Sequence, residues 1–281
     1  MRLQRLDCNP IITPDTHPSL GSNINGPSLI RVPEWLVNPI GRYYLYFAHH
    51  QGQHIRLAYA DELCGPWEVY ERGVLHLDDT VCSGHIASPD LHSDDGRLRM
   101  YFHGSTDDGQ KTFVATSTDG LSFEPRAEVL GPSYFRVFNW DGAYYAIARD
   151  GCSYRAQQPF GPFEHGPEMF ERLRHCAVRI VGDTLQVFYC NVGDRPEHIV
   201  LSEIDLRDDW REWQPTEPKT ILMPEYSWEG VDLPVQTSKN GWAPEPVHEL
   251  RDPAVYDEGE RIWLLYSIAG ESGLAIAEII A

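Results

Sequence analysis

The residues in this sequence best suited to chemistry are carboxylates beside proline and tryptophan. Asp90 follows Pro89 in SPDL, Asp252 precedes Pro253 in RDPA, and Glu229 follows Trp228 in SWEG. Hydrolysis of a glycosidic bond takes one carboxylic acid to protonate the leaving oxygen and one carboxylate to activate water or attack. Arg251 adjoins Asp252, and its charge is expected to keep that carboxylate ionised, so Asp252 and Asp90 read as base or stabiliser. Glu229 reads as the acid, because an apolar neighbour such as Trp228 raises a carboxyl pKa. Glu225, Asp232, Glu245 and Glu249 compete with it, since an acidic loop also serves solubility.

For these residues to meet, distant parts of the chain must converge, and a repeat supplies the means. A short apolar run, a turn, an aromatic-rich run, a loop and a third run recur five times, with Tyr46, Tyr101, Tyr145, Phe188 and Tyr266 in the middle of each second run. Runs rich in Val, Ile, Tyr and Phe between Gly, Asp and Pro turns, without a helical period, read as strands. Antiparallel units of this size cannot bury their own faces and pack radially. The expectation is therefore an all-β, single-domain, five-bladed propeller spanning 1–281. Its blades fall near 26–80, 85–130, 134–170, 175–220 and 250–281, with an ordered insertion at 223–250 as a lid. The fifth unit has three strands, and the segment around Leu3 to Ile12 is expected to supply the fourth and close the ring.

In such a ring, residues just before the first strand and just after the second line one funnel. That rule selects Asn25, His85, Asp90, Arg136, Arg174, His175, Arg251 and Asp252 from the blade openings. From the second-strand ends it selects His49, His50, His103, Arg149, Asp150, Asn191 and Glu271. The set looks cationic, and a single His or Arg at a strand end is more often a solvated turn residue or a local hydrogen-bond donor. Trp35, Trp140, Trp228 and Trp242 are candidate platforms for sugar rings, whereas Trp67, Trp210 and Trp213 are expected to pack between blades.

Composition narrows the partners. With 23 Lys and Arg against 42 Asp and Glu, the formal charge of −19 repels phosphate backbones and anionic lipid surfaces, so neither nucleic acid nor membrane is expected. No apolar window reaches the roughly 20 residues of a membrane span, and the opening MRLQRLDCNP is too charged for a signal peptide. A cytoplasmic location is the expectation, unless a leader has been removed. The 6 Cys show no short regular spacing and are expected to be free, mostly buried thiols.

The openings GPSLIRV, ASPDLHSDDGRLRMYF and LRDPAVYDEGERIWLLYS resemble those of the five-bladed glycoside hydrolases of families 43, 32 and 68. The resemblance implies an Asp base opening the first blade, an Asp pKa modulator opening the second and a Glu acid on a later blade. Asp90 matches the modulator motif, but the base position in NGPSLI is Gly26. Asp252 carries an equivalent Asp-Pro element in the fifth blade, and RDP with WEG is similar to the stabiliser and acid motifs of the invertase group, whose nucleophile motif is missing here. The leading expectation is a glycoside hydrolase acting on a small oligosaccharide without a cofactor. Three alternatives remain: a metal-assisted lyase or hydrolase with a divalent ion at His85, His103 and His175; a non-catalytic sugar-binding propeller; and a phosphorylase holding phosphate at Arg136, Arg174 and His175.

Overall fold

The computed structural model describes residues 1–94 and 96–280, and these form five antiparallel sheets set around an axis. Blade 1 runs from the innermost strand Asn25–Arg31 through Tyr43–Ala48 and His54–Ala60 to Glu68–His76. Blade 2 uses Ser83–Asp94, Arg97–Thr106 and Gly109–Ser117, with two short pieces, Glu124–Pro125 and Gly131–Pro132, along its outer edge. Blade 3 comprises Arg136–Trp140, Ala143–Ile147, Cys152–Ala156 and Glu164–Glu168; blade 4, Leu173–Val181, Thr184–Asn191, Ile199–Asp205 and Lys219–Leu222. Blade 5 has Arg251–Asp257, Ile262–Ser267 and Leu274–Ile280, and its outermost strand is Arg2–Arg5. Arg2 pairs with Ile280 and Arg5 with Ala277, and the chain continues alongside until Ile11 N–H donates to the Leu274 carbonyl. The ring is thus closed by the segment that the three-strand repeat requires.

Five apolar cores hold the blades, and each lies between two neighbours rather than within one. The repeated aromatic of the second strand explains why. Tyr46 of blade 1 donates to the Gly120 carbonyl in blade 2, and Tyr101 of blade 2 donates to Pro159 in blade 3. Tyr145 of blade 3 packs against Trp213 of blade 4, with ring centroids 4.9 Å apart. Each side chain fills the gap that its own flat sheet cannot close, and each of these burials stabilises the ring by a few kcal/mol, about 1.5–3. Trp67, Trp210 and Trp213 lie in these seams as expected. Trp35 and Trp140 pack against seams as well, which corrects their assignment as sugar platforms.

The expectation of free thiols fails at one pair. Cys8 and Cys64 form a disulfide with Cα atoms 5.6 Å apart, while Cys82, Cys152, Cys176 and Cys190 are free. Sequence spacing conceals this pair because ring closure alone brings the first segment against blade 1. No helix among the described residues is long and apolar enough to cross a membrane.

Candidate active site

The innermost strands share a local device. Strand pairing slips by one β-bulge between Asn25 and Ser28, between Ala87 and Asp90, and between Arg251 and Ala254. At each slip a residue with left-handed backbone precedes a proline: Gly26 (φ +59), Ser88 (φ +51) and Asp252 (φ +49). Asp tolerates this region better than most residues, and a bulge re-aims the side chain that it carries. At blade 5 the side chain so aimed is a carboxylate. At blade 1 there is none, and a Cβ on Gly26 would lie 3.3 Å from Ser88 Cα, so the opening of blade 1 is also tight.

The funnel above these bulges is a cavity of about 490 Å³, within the range of small-ligand sites. All five blades contribute to it. Of the residues selected from the sequence, Asn25, His50, His103, Arg149, Arg174, Asp252 and Glu271 line the wall. Ser88, Gln110, Ser133, Tyr134, Asn240 and Gly241 line it too and were missed. Tyr134 shares the left-handed backbone of Gly26, Ser88 and Asp252, with a φ of +66, but Phe135 rather than a proline follows it, so nothing in the sequence marks the place.

The wall is less cationic than its guanidiniums suggest. Arg174 Nε donates to Glu197 Oε1 at 2.6 Å, and its other nitrogens reach the carbonyls of Gly241 and Lys239. Arg251 Nη2 binds Glu249 Oε2 at 2.5 Å and its Nη1 binds Glu271 Oε1 at 2.9 Å, leaving it beneath the wall rather than on it. Glu197 and Glu249, both buried, neutralise the arginines; Glu197 escaped the sequence reading because it belongs to no repeated position, and Glu249, read there as a competing acid, is instead an ion-pair partner. Arg149 reaches Asn240 of the insertion, and Ser238 N–H donates to the Asp194 carbonyl at 2.9 Å. The insertion is therefore an ordered strap pinned over one side of the funnel, and Trp242 on it stands 6.5 Å from the His50 ring.

Two carboxylates face the cavity with opposite electrostatics. Burial opposes the ionisation of Glu271, but Asn23, Asn25, His50 and Arg251 surround it and hold its pKa down at about 2. Burial and the charge of Glu271 push the Asp252 carboxyl above its ordinary value, with Arg251, Arg174 and His50 opposing only in part. The expectation that Arg251 keeps Asp252 ionised is thus corrected, since Arg251 is committed to Glu249 and Glu271. Among the described residues, Asp252 accepts a single side-chain hydrogen bond, from Ser267 Oγ at 3.2 Å. Pairs whose pKa values are driven apart divide the labour of acid and ion.

Other expected members are elsewhere. Glu229 is fully buried where blade 5 meets the strap and accepts from Arg5 (2.7 and 3.0 Å), Tyr266 (2.9 Å) and the N–H groups of Glu225 and Tyr226. It does not line the funnel, so it cannot reach a substrate there as an acid; Trp228, stacked on Tyr226 at 5.2 Å, is likewise outside it. Asp90 lies in a separate axial cavity of about 130 Å³, where it binds His92 at 3.1 Å and the Val137 N–H at 3.1 Å. His92 and Arg136 hold it ionised despite burial. Arg136 fills the axis instead of the funnel wall, 2.7 Å from His175 Nε2. The Tyr134 ring is interposed between His103 (centroids 4.2 Å apart) and His175 (5.1 Å), so His85, His103 and His175 do not converge on one ion. Burial keeps both His103 and His175 far below the ordinary imidazole pKa, hence neutral. His85 sits at the rim on Ser105 and Gln110, and His49 adjoins the mouth without lining it. Asp150 and Asn191 are also off the wall.

The fold and this funnel define a five-bladed β-propeller with a polar pit at one end of its axis. It superposes on a family-43 β-xylosidase/α-arabinofuranosidase from a compost microbial metagenome, in complex with xylotriose, with a TM-score of 0.66 at 12% identity, over 99% of this chain and 95% of the other. A family-43 enzyme of Xanthomonas citri complexed with xylotriose gives 0.63 at 14%, covering 92% and 88%. An exo-1,5-α-L-arabinanase from a bovine ruminal metagenomic library gives 0.62 at 12%, covering 92% and 93%. At these identities the likeness is one of fold. No protein-family model matches the chain. In sequence it is 33% identical over 297 residues to an uncharacterized protein of Acanthamoeba polyphaga mimivirus, across 92% of this chain and 83% of that protein, and it belongs to that protein's family.

Proposed function

We propose that this protein is a glycoside hydrolase that takes the end of a small oligosaccharide into the funnel and uses Asp252 as its proton-exchanging group. The observation that carries this reading is the split pair: one cavity carboxylate that holds its proton beyond the ordinary range beside one that stays ionised. Asp252 gives its proton to the leaving oxygen as the glycosidic C–O bond breaks, and the ionised Glu271 stabilises the positive charge developing on the sugar. Water then attacks the sugar and its proton returns to Asp252. Asn25, Ser88, Gln110, Arg149 and Asn240 supply hydrogen bonds to hydroxyls, and Trp242 offers a face for a ring at the mouth. The xylotriose in two of the similar structures supports a carbohydrate of pentose size as the first substrate class to try. No step calls for a cofactor.

A non-catalytic sugar-binding propeller is the second reading. It is favoured by Glu271, both of whose oxygens already accept hydrogen bonds, which leaves Asp252 as the cavity carboxylate with an oxygen to spare. A panel of nitrophenyl glycosides and xylo- and arabino-oligosaccharides separates the two. Release of sugar by the native protein and its loss in Asp252→Asn supports hydrolysis; micromolar binding without release in either protein overturns it in favour of binding alone.

A further inference from the structure

On blade 3, away from the funnel wall, three side chains of different chemistry meet. Asp150 closes the turn after strand Ala143–Ile147, Cys152 opens the next strand, and His165 lies on the outer strand Glu164–Glu168. A bulge between Cys152 and Tyr154 shifts the pairing so that a carboxylate oxygen, the thiol sulfur and an imidazole nitrogen lie within 4.8 Å of one another. Asp150 and His165 are exposed, whereas Cys152 is buried. We propose that Asp150, Cys152 and His165 form a binding site for a divalent cation of borderline softness, zinc above all.

The donor set is the argument. Thiolate, imidazole and carboxylate bind zinc at about 2.3, 2.0–2.1 and 2.0–2.2 Å, so ligand atoms at this spacing close on one ion with small side-chain adjustments. Three protein ligands leave a fourth position for water. The carboxylate is already oriented, since Asp150 Oδ1 accepts the Cys152 N–H at 3.0 Å and Oδ2 accepts the Tyr154 hydroxyl at 2.5 Å. Both oxygens keep a lone pair for a metal, and Tyr154 acts as a positioning residue of the kind that commonly backs a metal ligand. The local field has the right sign as well. Asp150 beside the thiol and Glu168, paired across the strands from Cys152, both bring negative charge to the place a cation would occupy. An ion here would stiffen the turn that also carries Arg149 to the funnel, so the site is separate from the proposed chemistry but touches its frame.

Cobalt is the probe, because its thiolate complexes absorb in the near ultraviolet. Protein prepared without a polyhistidine tag and stripped with a chelator is titrated with Co²⁺ and then with Zn²⁺. The expected result is saturation at one equivalent with a charge-transfer band that zinc abolishes. Cys152→Ser removes the band, His165→Ala weakens binding at least about tenfold, and Tyr154→Phe weakens it about tenfold. Cys82→Ser changes nothing. His165 is exposed, so its variant tests the site without testing the fold. Absence of a band, or a band that persists in Cys152→Ser, or affinity indifferent to His165→Ala, overturns the proposal.

Discussion

Glu229 and Asp252 are both buried carboxylates on or beside blade 5, and both stand next to a residue that draws attention in the sequence. Glu229 is met by five hydrogen-bond donors from Arg5, Tyr266, Glu225 and Tyr226, so every lone pair it could offer is engaged. Asp252 meets one side-chain donor and opens on a cavity. Burial alone therefore does not mark a reacting group. What separates the two is the shortfall of partners: a saturated carboxylate fastens parts of the structure together, and an unsaturated one has capacity left for a ligand.

That contrast predicts opposite phenotypes. Asp252→Asn should lower kcat by about 10³-fold with little change in melting temperature, measured on whichever glycoside the panel identifies. Glu229→Gln should do the reverse, costing about 3 kcal/mol in denaturant unfolding because it leaves Arg5 without its buried partner, with kcat unchanged. Equal losses of activity and stability in both variants would erase the distinction.

Two smaller effects sharpen it. Glu271→Gln removes a negative charge that raises Asp252 and frees Arg251, so the pKa of Asp252 falls and the alkaline limb of the kcat profile moves to lower pH. The folded state feels these groups with opposite signs. Glu271, depressed to about 2, contributes stability that is present above the ordinary glutamate range and is lost as pH falls toward that value. Asp252, raised, costs stability as pH climbs through its elevated pKa. A Glu271→Gln profile with an unmoved alkaline limb would remove Asp252 from the titration. Tyr266→Phe, which deletes one of the donors to Glu229, should cost about 1 kcal/mol and leave turnover alone.

Much of the ring was readable because it is periodic. Tyr46, Tyr101, Tyr145, Phe188 and Tyr266 recur for one physical reason, the gap between neighbouring sheets, and periodic causes leave periodic marks. The funnel was partly readable on the same ground: strand ends face the axis, which found Asn25, His50, His103, Arg149, Arg174, Asp252 and Glu271. What escaped was pairing across sequence. Glu197 and Glu249 neutralise arginines from unrepeated segments, Arg5 captures Glu229 from 224 residues away, and Cys8 finds Cys64 through ring closure. Asp90 was misplaced because its motif says where the strand opens but not how far below the mouth the second residue after the bulge points.

The union of Arg2–Arg5 with Leu274–Ile280 also bears on how the molecule comes into being. Arg2–Arg5 leaves the ribosome roughly 270 residues before Leu274–Ile280, the strand that it pairs with, so blades already made must persist as an open arc with one bare edge. A chaperone or a neighbouring chain has that interval in which to engage the edge, and mistakes in assembly should concentrate there rather than at the four junctions formed between consecutive blades.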